Sequence, residues 1–253
     1  PQSAPVAGNV VIDADGSVVI AADSTTKDDA SAGSAAVSVE NDGYGASVVV
    51  VVDLDDTLAF VGDGAAVTAL GNKAVDIRNG VHDGDGNQGT QSARGFALGA
   101  SSFEDHFLLA IGAAGTIEAD KTGIGLSVTV DVNEGKTQAT LGSGATVNAV
   151  NTGAHGAQDV LVRAVDETGI TSVAGGAAIG GGTAIGGAIT VAIVENNVQA
   201  VALGNNTLKA ADDVTLDAKT HGDISSLAIS VAGVLDTGSE SNEGGGKSTD
   251  FTG

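Results

Sequence analysis

The chain has 253 residues, with 39 Gly, 2 Pro, no Cys, Met or Trp, 1 Tyr and 5 Phe; 32 Asp and Glu against 10 Lys and Arg give a formal net charge of -22 at pH 7. Without cysteine there is no disulfide framework, thiolate nucleophile or Cys-ligated metal, and so acidic a chain has little with which to neutralise the phosphates of nucleic acid or an anionic membrane. Hydrophobic content of 42%, rich in Val, Ile and Ala, suffices to bury a core, while no aliphatic run reaches the ~18 residues of a transmembrane helix.

Both prolines, Pro1 and Pro5, lie in the first five residues. The start lacks an initiator Met and a signal-peptide pattern, so the chain is expected to have been processed or excised from something longer. A proline-free, Gly-rich body fits a continuous array of strands, because proline cannot donate to a strand ladder. The first short β-branched runs are Val10-Val11-Ile12 and Val18-Val19-Ile20. A repeat then begins. Segments starting at Gly45, Gly125 and Gly187 each carry a second glycine 17 positions later, at Gly62, Gly142 and Gly204. Each has a valine seven residues in (Val52, Val132, Val194), followed by a polar residue (Asp53, Asn133, Glu195). Each ends on a turn and an alanine, Ala69, Ala149 or Ala210. Leu126 to Asn133 alternates apolar and polar as a half-buried strand should, and Ile189 to Ile193 does the same. Val160-Leu161-Val162, Val214-Thr215-Leu216 and Ile224 to Val231 continue the series.

The units are therefore read as a partial one at 8–44, then 45–124, 125–186 and 187–238, with a loop insertion at 79–107 and a flexible tail at 239–253. Repeated short strands with Gly-rich punctuation and few aromatics imply a stack growing along one axis. The expected fold is all-β, a right-handed parallel β-helix (β-solenoid) of about a dozen coils of roughly 20 residues with loop insertions, forming a single rod segment. Val, Ile, Leu and Ala are expected to point inward in ladders, with Val52, Val132 and Val194 in equivalent inward places. Thr, Ser, Asn, Asp and Lys are expected to point outward. A β-sandwich is the rival, though it usually carries more aromatics and turn prolines.

The sharpest chemical motif is Asp83-Gly84-Asp85-Gly86-Asn87-Gln88-Gly89. Oxygens at alternate positions of such a loop can converge on a hard cation, so Asp83, Asp85 and Asn87 are candidate Ca²⁺ ligands, the other reading being a solvated turn. Gln88 and Arg94 stand where an EF-hand needs Gly and Glu, so that motif is excluded. Asp53-Leu54-Asp55-Asp56 and Asp13-Ala14-Asp15-Gly16 read as solubilising turns. His82, His106, His155 and His221 read as surface-loop residues, with His82 beside Asp83 and Glu104-Asp105-His106 as weaker metal or acid/base alternatives. No Gly-x-Ser-x-Gly elbow or complete phosphate loop occurs. Phe96, Phe103 and Phe107 read as a satellite cluster anchoring the insertion, the other reading being an exposed contact surface for a partner or a neighbouring subunit.

The pattern of apolar run, Asn/Asp-rich break, Ala-x-Leu-Gly and then "ATVNA" or "TLKAADDVTLDA", seen in Gly125–Ala149 and Gly187–Ala218, resembles the repeats of large bacterial filamentous adhesins of the leukotoxin and haemagglutinin-like type. The resemblance spans about residues 45–234. It implies a right-handed parallel β-helix in an extracellular stalk or passenger at the cell surface, without enzymatic activity. The expected function is structural or adhesive, with flanking repeats or identical subunits stacked end to end, and a host or cell-surface receptor as a further partner. The alternatives are a polysaccharide-acting β-helix enzyme, for which aromatic sugar subsites are nearly absent, and a Ca-stabilised self-assembling fibre.

Overall fold

The computed structural model describes residues 10–83 and 87–235. Among these the protein is all-β: thirteen strands and no helix. The expected short strands are segments of much longer ones. After β1 (Val11–Ala14) come β2 (Val18–Ser38), β3 (Gly43–Val61), β4 (Ala66–Ala69), the pair β5 (Val75–His82) and β6 (Gln88–Ala93), and β7 (Gly95–Thr116). Then follow β8 (Thr122–Leu141), β9 (Thr146–Val147), β10 (Asp159–Gly180), β11 (Thr183–Ala202), β12 (Thr207–Leu208) and β13 (Val214–Val234). The long strands run 19 to 22 residues, about 65–70 Å at ~3.3 Å per residue.

These strands form three parallel sheets, β1-β4-β9-β12, β13-β10-β7-β2 and β11-β8-β3. Each pass of the chain visits the short-strand sheet, then the four-stranded long sheet, reverses, and returns through the three-stranded long sheet. Successive passes pair in register, with Gly45 beside Gly125 and Gly125 beside Gly186. The dozen short coils expected from the sequence are thus far fewer and much wider passes. A run such as Leu126 to Asn133 is one part of a 20-residue strand, because β-branched residues and alternation continue across the polar breaks instead of stopping there.

The register also corrects the third repeat. Val132 pairs with Ile193, and Val194 faces Asn133. A one-residue slip moves every side chain to the other face, so Val194 lies on the inner face while Val52 and Val132 lie on the outer. Val52 is 58% exposed. Hence the expected ladder of inward valines is absent at these positions. The reason is the spacing of the two long sheets where they approach each other at their far end. A Cβ on Gly112 would collide with the carbonyl of Leu126, and one on Gly125 with the carbonyl of Ala177. Backbone meets backbone there, and bulky aliphatics are forced outward.

The apolar core sits at the opposite end, where the short-strand sheet closes the gap between the long ones. Val61, Val67, Phe96, Leu98, Leu141, Val147, Val160 and Val162 fill it. Positive-φ glycines turn the corner after β3 and β8, at Gly64 (φ 65°) and Gly144 (φ 69°), two residues past the glycines singled out in the sequence. The fully buried Asn148 accepts from the Ala69 amide at 2.7 Å and donates to the Lys209 carbonyl at 3.2 Å, tying three passes together.

Of the segment 79–107 read as inserted, residues 79–82 and 88–93 belong to the antiparallel β5–β6 pair and 95–107 to β7. Phe96 lies in the main core, Phe103 is buried with the Lys27 ammonium 5.7 Å from its ring, and Phe107 is 40% exposed.

Candidate functional site

Between the apolar core and the glycine-spaced end, the inner faces of the long strands carry a belt of polar side chains. Strand alternation places Ser24 and Asp28 of β2, Asp53 and Asp55 of β3, and Ser102, Glu104 and His106 of β7 on these faces. The same holds for Asp131, Asn133 and Thr137 of β8, Asp166 and Thr168 of β10, and Asn196 of β11. Glu104, His106, Asp131, Asn133 and Asp166 are at most 1% exposed. Among the described residues no Lys or Arg occupies the inner face of a long strand, which leaves His106 as its basic group.

Buried polar groups must find partners or forfeit their hydration, and most of the belt does. The Asn133 amide donates to Glu104, whose carboxylate also lies 3.2 Å from the Thr168 and Ser102 hydroxyls. Asp166 accepts from Asn196 at 2.9 Å and from Thr137 at 3.2 Å. Ser24 donates to Asp55. Burial is the main cause that pushes the Glu104 carboxyl above its usual range, with the charges of Asp166 and Asp53 adding to it and the Asn133 and Ser102 hydrogen bonds opposing it.

His106 is the focus of a tighter group. It is paired side by side with Asp28 of the neighbouring strand and faces Asp53 and Asp131 from the opposite sheet. Its Nδ1 lies 3.1 Å from both Asp131 oxygens. Nε2 lies 3.4 Å from Asp53 Oδ2 and 4.0 Å from Asp28 Oδ2. Burial pulls the imidazole pKa down, yet the Asp131 hydrogen bond and the charges of Asp131, Asp53 and Asp28 together hold it above the ordinary histidine value. Donor atoms of Asp28, Asp53 and His106 all lie within 4.8 Å of one another.

The sequence reading of these residues is corrected on two points. Asp53-Leu54-Asp55-Asp56 is no turn: it lies within β3, with Asp53 and Asp55 inward and Leu54 69% exposed. His106 is no surface-loop residue, being fully enclosed. Its environment was hidden because the hydropathy pattern marks this stretch as polar and hence external. The alternation of Phe103, Asp105 and Phe107 against Glu104 and His106 is the one signal that could have revealed it. His155 does lie in a loop, accepting from the Ala157 amide at 3.1 Å, and His221 is exposed on β13. Of the candidate Ca²⁺ ligands, Asp83 and Asn87 bond to each other, Asp83 accepting from the Asn87 amide at 2.8 Å and from its side chain at 3.1 Å. Asp85 lies outside the described residues. Of Asp13-Ala14-Asp15-Gly16, Asp13 and Ala14 end β1 and only Asp15 and Gly16 form a bend, with Asp15 accepting from Asn72 at 2.8 Å.

Comparison with family models, curated proteins and solved structures finds no match to this chain.

Proposed function

We propose that this chain is a segment of a right-handed β-solenoid rod, an extracellular and non-enzymatic stalk or filament unit serving surface attachment or assembly. The observation that supports this is the simultaneous in-register stacking of successive passes in three parallel sheets, with both ends of the stack open. Among the described residues, β2 and β3 have a neighbour on one side only, and so do β13 and β11. The core-side residues of β13 show the consequence: Val214, Leu216 and Ile224 are 45%, 46% and 57% exposed. An unpaired edge of this length is a template for another strand, and further passes of the same kind, supplied by flanking repeats, cover it best.

A second feature favours assembly. On the outer side of the three-stranded sheet, Val48, Val50 and Val52 stand beside Val128, Val130 and Val132, and these beside Ile189, Val191 and Ile193. Tyr44, Ala46 and Leu54 extend the row on β3, Ile124 and Leu126 that on β8, and Ile185 that on β11. Three strands about 4.8 Å apart over some 30–36 Å give a face of about 430–500 Å², at the upper range for a monomer. Packed on a second copy it would bury up to about 1,000 Å², the lower bound of specific interfaces, and each added pass enlarges it. The extracellular and adhesive parts of the reading rest on the resemblance of the repeats.

Electron microscopy of native material tests the proposal. Thin rods or continuous fibres, with an axial repeat of about 4.8 Å per pass in diffraction, are expected. Compact particles without that repeat would sink it, and release of reducing sugar from uronate or neutral glycans would remove its non-enzymatic part.

A further inference from the structure

We propose that His106, Asp53 and Asp28 bind one divalent transition ion of zinc's type inside the stack, with Asp131 as the positioning residue for the imidazole. The inference goes beyond the rod reading and does not depend on it.

Two orphaned atoms point at the same spot. His106 Nε2 and Asp53 Oδ2 are both enclosed and both lack a hydrogen-bond partner, although His106 is 0% exposed. At 3.4 Å they are too far apart for a good hydrogen bond. They are well placed for a shared ion: two donors about 2.0 Å from a tetrahedral centre stand about 3.3 Å apart. Asp28 Oδ2, 4.0 Å from Nε2, needs only a small side-chain adjustment to join them.

The surroundings match what a metal-bound histidine requires. Such a residue commonly gives its second ring N–H to a carboxylate, which fixes the tautomer and turns the other nitrogen's lone pair to the ion. Asp131, 0% exposed, holds that place against Nδ1. One imidazole nitrogen and two carboxylate oxygens suit zinc, which takes three protein ligands and a water in open sites. Calcium is poorly served, since it prefers six to eight oxygens. The 47% exposed Asp28 side chain leaves a route to solvent and a place for the fourth ligand. The ion's two positive charges would also offset Asp28 and Asp53 where, among the described residues, no Lys or Arg lies on the inner face of a long strand. Its ligands come from β2, β3 and β7, so it would fasten two passes and both long sheets together.

The test uses the full chain, stripped with chelator and titrated with zinc chloride in a calorimeter. One equivalent per chain should bind, with a rise in melting temperature. Asp53→Asn, nearly isosteric, should weaken binding at least 100-fold while keeping the strand signal in circular dichroism. Asp131→Asn should leave the stoichiometry and weaken binding about 10–100-fold. Since a His106→Gln chain could misfold, the unaltered protein loaded with Co²⁺ supplies an independent measure: a four-coordinate visible spectrum that Asp53→Asn abolishes. No bound equivalent, undiminished affinity in Asp53→Asn, a six-coordinate Co²⁺ spectrum, or displacement by equimolar Ca²⁺ would each overturn the assignment.

Discussion

The two ends of the long strands are built on opposite plans. Near the short-strand sheet, Phe96, Leu98, Leu141 and Val162 fill a closed apolar interior. Beyond the polar belt Val49, Leu108 and Ala110 form a small second buried cluster; from there to the far end the inner face narrows to Gly, Ala, Ser and Thr, and the aliphatic residues Val48, Val50 and Ile189 stand outside. The difference follows from sheet separation. Three sheets enclose a space that side chains must fill, whereas two sheets held at backbone contact leave none. The same alternating β-branched sequence therefore buries most of its large residues near the short-strand sheet and exposes most of them beyond the belt, with Val49 and Leu108 the buried remainder.

The largest effect is expected where volume is put between the close-packed sheets. Gly125→Val should destabilise by more than the roughly 1–3 kcal/mol typical of overpacking, because its neighbour is backbone, the Ala177 carbonyl. Gly99→Ala, on β7 with no atom within 4 Å of an added Cβ, should change stability little; denaturant midpoints measure both. Next, Leu98→Ala should cost about 2–5 kcal/mol as a cavity in the closed core. Val50→Ala, from a residue 58% exposed, should stay within about 0.5 kcal/mol. Equal losses at Leu98 and Val50 would show that the far-end valines are buried after all.

This contrast also explains what could be read beforehand. Strand character, parallel stacking and the offset of 80 residues between the first two repeats were legible, because alternation and the recurrence of Gly45 at Gly125 are local facts. The third register was not: Gly186 and Gly187 are adjacent, and only pairing along the whole strand selects Gly186. Face assignment failed because alternation shows that two faces differ without saying which is inside. That is decided by glycines on other strands, such as Gly112 against Leu126. The belt was missed for the same reason, since Glu104 and His106 look like surface residues until the opposing sheet is in place.

The belt gives a smaller, pH-dependent test. The Glu104 carboxyl is raised above its ordinary value of 4.5 in the folded chain, mainly by burial. A raised carboxyl pKa means that the folded state holds the proton more tightly than the unfolded. Its contribution is therefore fully present below pH 4.5 and is lost as the pH rises through the folded value. Glu104→Gln retains an acceptor for Asn133 and should flatten that slope in urea melts recorded from acid to neutral pH. An unchanged slope would place the titration elsewhere in the belt.

The smallest effect belongs to the turn joining β2 to β3. There Asp42 accepts from the Thr122 amide at 2.8 Å and from the Tyr44 hydroxyl at 3.1 Å, clipping one pass to the next. The Thr122 bond, then the Tyr44 bond, hold its carboxyl below the usual 3.8. Here the sign reverses: the contribution is present above the unfolded value and disappears as the pH falls through the lower folded one. The site is solvent-exposed, so Asp42→Asn should leave the global melt nearly unmoved while speeding amide exchange at Thr122. The far end thus relies on backbone contact between sheets for its strength, and a hydrogen-bonded clip at its edge affects only local opening.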